Sequence, residues 1–149
     1  MTRGGVIKDE ELQTRSSITI AAPIEEVWDA LTTPALIRKW FFGVETKTDW
    51  KAGSPLVHTG MWQDKPYEDK GTILRIEPPR LLVHTHWSPL SGVPDSPENY
   101  EEVTWALTGH DGKTEVTVTE VNLPSEEAKA ASEAAWKTVL SNLRGVLEG

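Results

Sequence analysis

The sequence predicts an α+β domain in which one curved antiparallel sheet of about seven strands wraps a long C-terminal helix. Three observations predict it. The stretch Leu123–Glu148 places apolar or small residues at helical spacing. Most of the chain before it alternates apolar and polar residues with a period of two. The strand-like segments are joined by short turns, which favours sequential antiparallel pairing.

The C-terminal helix carries its stripe at Ala128, Ala131, Ser132, Ala135, Trp136, Val139, Leu140, Leu143, Val146 and Leu147. Small residues occupy its first half and large ones its second. Ser125 suits the N-cap, and Glu126 and Glu127 suit the positive helix end. Upstream, residues 1–13 read as a loose tail and residues 14–149 as one domain. Thr14 to Ala21 is a strand. Pro23 opens a helix with Val27, Trp28 and Leu31 on one face. Thr33-Pro34 caps and starts a second short helix. Val44 to Thr48 and Pro55 to Trp62 are strands, and Gln63 to Lys70 reads as a charged loop. Strands follow at Gly71 to Glu77 and Leu81 to Trp87. Ser88 to Asn99 is the longest loop. Two more strands, Tyr100 to Thr108 and Glu115 to Val121, flank an Asp111-Gly112 hairpin turn.

Composition narrows the function classes. The 149 residues suffice for one domain with a sizeable core. No Cys is present, which removes disulfides, thiolate nucleophiles and cysteine metal sites. Net charge is −8 with no basic run, so nucleic acid and anionic membranes are poor partners. No apolar run approaches a membrane span, and the N-terminus lacks the apolar centre of a signal peptide. A cytoplasmic monomer or homodimer is the expectation. The seven Trp outnumber the two Tyr and two Phe, and Trp suits both cores and ligand pockets.

Three segments carry a resemblance: ITIAAPIEEVWDALTTPALIRKWF, GTILRIEPPRLLVHTHW and EVTWALTGHDGKTEVTVTEVNLP. Together they resemble bacterial proteins similar to the C-terminal domain of the activator of the heat-shock-protein-90 ATPase. That family lies in the START-like superfamily, and the resemblance implies its helix-grip fold across roughly residues 14 to 147. It also implies a cavity between sheet and long helix that takes apolar or amphipathic ligands. Superfamily members include carriers, cyclases and hydrolases. The sequence departs from the pattern at Gly53-Ser54-Pro55, where relatives often pair glycines; this touches only a turn.

The alternating turns of a meander gather Trp40, Phe41, Phe42, Met61, Trp62 and Trp87 at one end, beside the small-residue half of the helix. Two readings are open: the mouth of an apolar cavity, or a plug over an ordinary core. The resemblance favours the cavity. Its expected ligand-binding residues are Trp40, Phe41, Phe42, Trp62, His86, Trp87, Trp105, Ala131, Ala135 and Trp136. His58, His84 and His86 could in principle ligate zinc. However, Val83, Thr85 and Trp87 make the better inward set, which sends His84 and His86 to the outer face. In the opposite phase His86 becomes a polar group inside the cavity. No metal or other cofactor is expected, and the carboxylates show no sharp pairing. No nucleophile elbow, zinc-protease, P-loop or dinucleotide motif occurs, so no catalytic residue is assigned. The expected function is binding of a small hydrophobic or amphipathic ligand. The alternatives are a cyclase- or hydrolase-like enzyme using the same cavity, and a co-chaperone-like interaction module.

Overall fold

A computed structural model describes residues 12–149; most of the predicted tail therefore lies outside the described residues. The order is β1 (Thr14–Ile20), α1 (Ile24–Thr32), α2 (Pro34–Trp40), β2 (Glu45–Lys47), β3 (Pro55–Trp62), β4 (Lys65–Glu77), β5 (Leu81–His86), β6 (Glu101–His110), β7 (Lys113–Val121) and α3 (Glu126–Glu148). Two single-turn 3-10 segments, Pro89–Ser91 and Pro97–Asn99, break up the β5–β6 loop. The seven strands form one antiparallel sheet in the order β1-β7-β6-β5-β4-β3-β2. This is the predicted α+β helix-grip architecture, with two short helices after the first strand.

Residues 65–70 are the main departure in secondary structure. They continue β4, pairing with β3 from Lys65 opposite Trp62 to Lys70 opposite Val57. Only Gln63 and Asp64 turn, at φ 52° and 64°, the left-handed pair that two-residue hairpins prefer. The hairpin end is largely exposed, so charged residues there cost little and disguise the strand. The long β4 serves two partners: its first half pairs with β3 and its last residues with β5.

Helix α3 starts as its sequence suggests, with Ser125 Oγ accepting from the Ala128 amide at 3.1 Å. It packs against β1, α1 and α2. Val139, Leu140 and Leu143 are fully buried with Val27, Leu31, Ile37, Val116 and Val118 in one core. The first half differs from its predicted stripe. Ser132 and Trp136 turn inward, and Ala131 and Ala135 are exposed. Each alanine precedes an inward residue by one position, about 100° around the helix. Ala is compatible with either side, so helical spacing alone could not place these two.

Candidate functional site

The inward face of β6 runs through Glu101, Val103, Trp105 and Leu107, all buried. Register places Leu82 opposite Trp105, His84 opposite Val103 and His86 opposite Glu101. The inward set on β5 is therefore Leu82, His84 and His86, the reverse of the phase expected from Val83, Thr85 and Trp87. Trp87 instead stacks on Tyr100 at 6.5 Å, beneath Lys70, with its indole N–H donating to the Val93 carbonyl. Thr85 uses its hydroxyl to accept from the Thr72 amide. An outer face with its own partners can thus hold the more apolar side chains.

A pocket of about 90 Å³ lies on the concave side of the sheet, under α2 and α3. Its walls include Leu31, Ile37, Trp40, Phe41, Trp50, Leu56, Leu82, Val103, Trp105 and Trp136. Trp105 stands edge-on to both Trp40 and Trp136, at 5.7 and 5.5 Å. Trp40 is locked by its indole N–H donating to the Ala30 carbonyl at 2.9 Å. His58, His84, His86 and Glu120 supply the polar wall.

These polar residues belong to a belt that crosses all seven strands. Thr46 sits opposite His58, His58 opposite Asp69, His86 opposite Glu101, and Glu120 opposite Thr14. His86 joins the halves: Nε2–H donates to Asp69 at 3.2 Å and Nδ1–H to Glu101 at 3.0 Å. Glu120 accepts from the Ser132 hydroxyl and from the Trp136 indole N–H at 2.9 Å, which ties α3 to β7. His58 Nδ1 shares a hydrogen bond with Thr46 Oγ1 at 2.9 Å. Its ring also meets Phe41 edge-on at 5.2 Å. Two buried oxygens on the belt, Thr14 Oγ1 and Asp69 Oδ1, have no hydrogen-bond partner among the described residues.

Burial acts on the three imidazoles in different ways. It drives His58 down to about 3, aided by His84 and His86 and opposed by Asp69. It lowers His84 to about 4, against the hydrogen bond to the Thr85 carbonyl. Burial also pulls His86 down, but the hydrogen bonds to Asp69 and Glu101 outweigh it and lift it to about 10. Burial raises Glu101; His86 opposes this and Glu120 adds to it. At neutral pH the wall therefore holds two neutral imidazoles and one imidazolium. Ligand atoms of His86, Glu101 and Glu120 lie within 4.8 Å of one another, but His86 donates from both ring nitrogens and so has no lone pair to offer a cation. This set differs from the three-histidine arrangement weighed from sequence.

Of the residues expected at a ligand site, Trp40, Phe41, His86, Trp105 and Trp136 line the pocket. Phe42 and Trp62 are exposed, at 58% and 47%, and Trp87 lies on the opposite face of β5 from His86. Ala131 and Ala135 face solvent. His84, Asp69, Glu101 and Glu120 went unassigned. Glu101 continues the apolar phase of Val103, Trp105 and Leu107, and Glu120 continues that of Val116 and Val118. A charge in the inward phase was the available signal.

The family described as activator of Hsp90 ATPase homolog 1-like protein matches residues 21–148. The chain belongs to this family. The solution structure of ChR145 from Cytophaga hutchinsonii is 44% identical, with a TM-score of 0.79 over 92% of this chain and 94% of that one. The crystal structure of CalU16 from Micromonospora echinospora is 27% identical, with a TM-score of 0.71 over 91% and 75%. CV1439 from Chromobacterium violaceum, at 18% identity, shares the fold with a TM-score of 0.77 over 93% and 99%. No curated protein matches the sequence significantly. Among the described residues, no helix is long and apolar enough to cross a membrane.

Proposed function

We propose that this family member binds a small hydrophobic ligand in the pocket beneath α2 and α3. The observation that carries the reading is the pocket's construction: tryptophans fixed edge-on to one another, aliphatic walls, and a polar side held by a buried hydrogen-bonded belt. Such a mix of apolar wall and few placed polar groups suits a ligand site. Volume limits the guest. Drug-sized ligands fill roughly 300–1,000 Å³, and a dry cavity near 150 Å³ admits benzene. At about 90 Å³ the pocket falls below both, so it excludes a lipid chain and takes at most a single ring, with its walls giving outward to admit it.

A second reading, chemistry in the same pocket, draws support from the buried His86–Glu101 pair. A desolvated ionisable cluster is a common mark of an active site. His86 already donates from both ring nitrogens, and His84 is a weak base, so neither is poised to take a proton. Ligand binding is therefore the stronger proposal. The co-chaperone-like reading rests on the family description alone.

The test is a titration of the chain with toluene, followed by intrinsic Trp fluorescence. Saturable binding to the wild type is expected. Val103→Phe, which adds bulk to the pocket wall, should abolish binding while the protein stays folded. Absence of saturable change in the wild type would refute the proposal. So would unaltered binding by the filled variant.

A further inference from the structure

We propose that the pocket's guest is a single-ring compound carrying a neutral hydroxyl, whose O–H donates to Nε2 of His84. This rests on the ligand-binding reading and narrows it to a chemical class.

The tautomer of His84 follows from its neighbour. Nδ1 lies 2.9 Å from the Thr85 carbonyl oxygen. A carbonyl can only accept, so Nδ1 carries the hydrogen. In the neutral ring Nε2 is then left as a bare acceptor. The Nδ1 bond runs to backbone, so Nε2 sits at the ring's far edge. His84 is 8% exposed and lines the pocket. No described residue donates to Nε2. An acceptor held this way, with its ring fixed and its water largely stripped, gains most from a guest that brings a donor.

The surroundings decide which donor. His84 pairs across β4 and β5 with Ile73, and across β5 and β6 with Val103, both fully buried. No carboxylate is hydrogen-bonded to it. An ammonium at Nε2 would meet an imidazole edge with no carboxylate hydrogen-bonded to it, and the carboxylate in the pocket wall, Glu120, already accepts from Ser132 and Trp136. A carboxylate guest would set acceptor against acceptor. A hydroxyl satisfies Nε2 without bringing charge. The rest of the guest meets Trp40, Phe41, Trp105 and Trp136, and the volume confines it to one ring. The weak basicity of His84 makes it a hydrogen-bond acceptor at neutral pH and not a proton abstractor.

The experiment compares p-cresol, toluene and benzylammonium on the full chain, with the imidazole nitrogens followed by ¹⁵N NMR. p-Cresol should bind roughly tenfold to a hundredfold more tightly than toluene, the discrimination one buried hydrogen bond supplies. Its addition should shift the His84 Nε2 resonance, and toluene should leave that resonance in place. In the free protein Nδ1 should be the protonated nitrogen. His84→Phe should bind both compounds alike. Should that variant not fold, the wild-type nitrogen shifts decide the matter alone. Equal binding of p-cresol and toluene without a shift at Nε2 would overturn this proposal and leave the ligand-binding reading intact. Preference for benzylammonium, or the opposite tautomer, would overturn it as well. Failure of every probe would overturn both.

Discussion

The three histidines of the pocket should shape the pH dependence of stability into a dome centred near neutrality. An unfolded histidine titrates near 6.5. His58 and His84 are held at about 3 and about 4 in the folded chain. Below pH 6.5 the unfolded chain therefore binds protons that the folded chain refuses. Each such group costs about 1.4 kcal/mol per pH unit. Between pH 6.5 and 5 the two together remove about 3–4 kcal/mol. Burial raises Glu101 in the fold, which works in the opposite direction as pH falls. His86 works on the other side. Raised to about 10, it adds stability that is fully present below 6.5 and is lost as pH rises toward 10. From pH 6.5 to 8.5 that loss is about 2 kcal/mol. Against a total stability of about 5–15 kcal/mol both limbs are measurable. Urea melts at pH 5, 6.7 and 8.5 would show them. His86→Gln should flatten the alkaline limb, and His84→Phe should make the acid limb shallower. A stability that stays level from pH 5 to 8.5 would refute the reasoning, as would limbs indifferent to these substitutions.

Leu143 is completely buried in the core, so Leu143→Ala should cost about 2–5 kcal/mol, and exposed Arg144→Ala less than about 0.5, in the same melts. Ser125→Ala removes the α3 cap and should cost about 1 kcal/mol. Gly71→Ala should prevent the β4–β5 contact, because a Cβ there would fall 1.8 Å from the Thr85 carbonyl oxygen; loss of a cooperative melt is the expected result.

The fold was legible because its signals are local and repeated. Period-two strands, the Asp111-Gly112 turn and the α3 stripe each need only a few adjacent residues. The site was only half legible. Trp40, Phe41, Trp105 and Trp136 announce themselves as large apolar groups on predicted elements. The belt depends on register between strands: His86 meets Glu101 and Asp69 from 15 and 17 residues away. Pattern reading also assigns apolar residues inward, and β5 inverts that rule by giving Thr85 and Trp87 partners on the outer face. Ala131 and Ala135 failed differently: each sits one position before an inward residue, Ser132 or Trp136, and alanine suits either side of a helix.

Indole N–H NMR under titration with a single-ring guest tests the central claim most directly, because the tryptophans divide cleanly by place. Saturable shifts at Trp40, Trp105 and Trp136, with Trp62 and Trp87 unmoved, are the predicted result. Shifts confined to Trp62 and Trp87, or no saturable shift at the pocket tryptophans, would contradict a ligand site beneath α2 and α3.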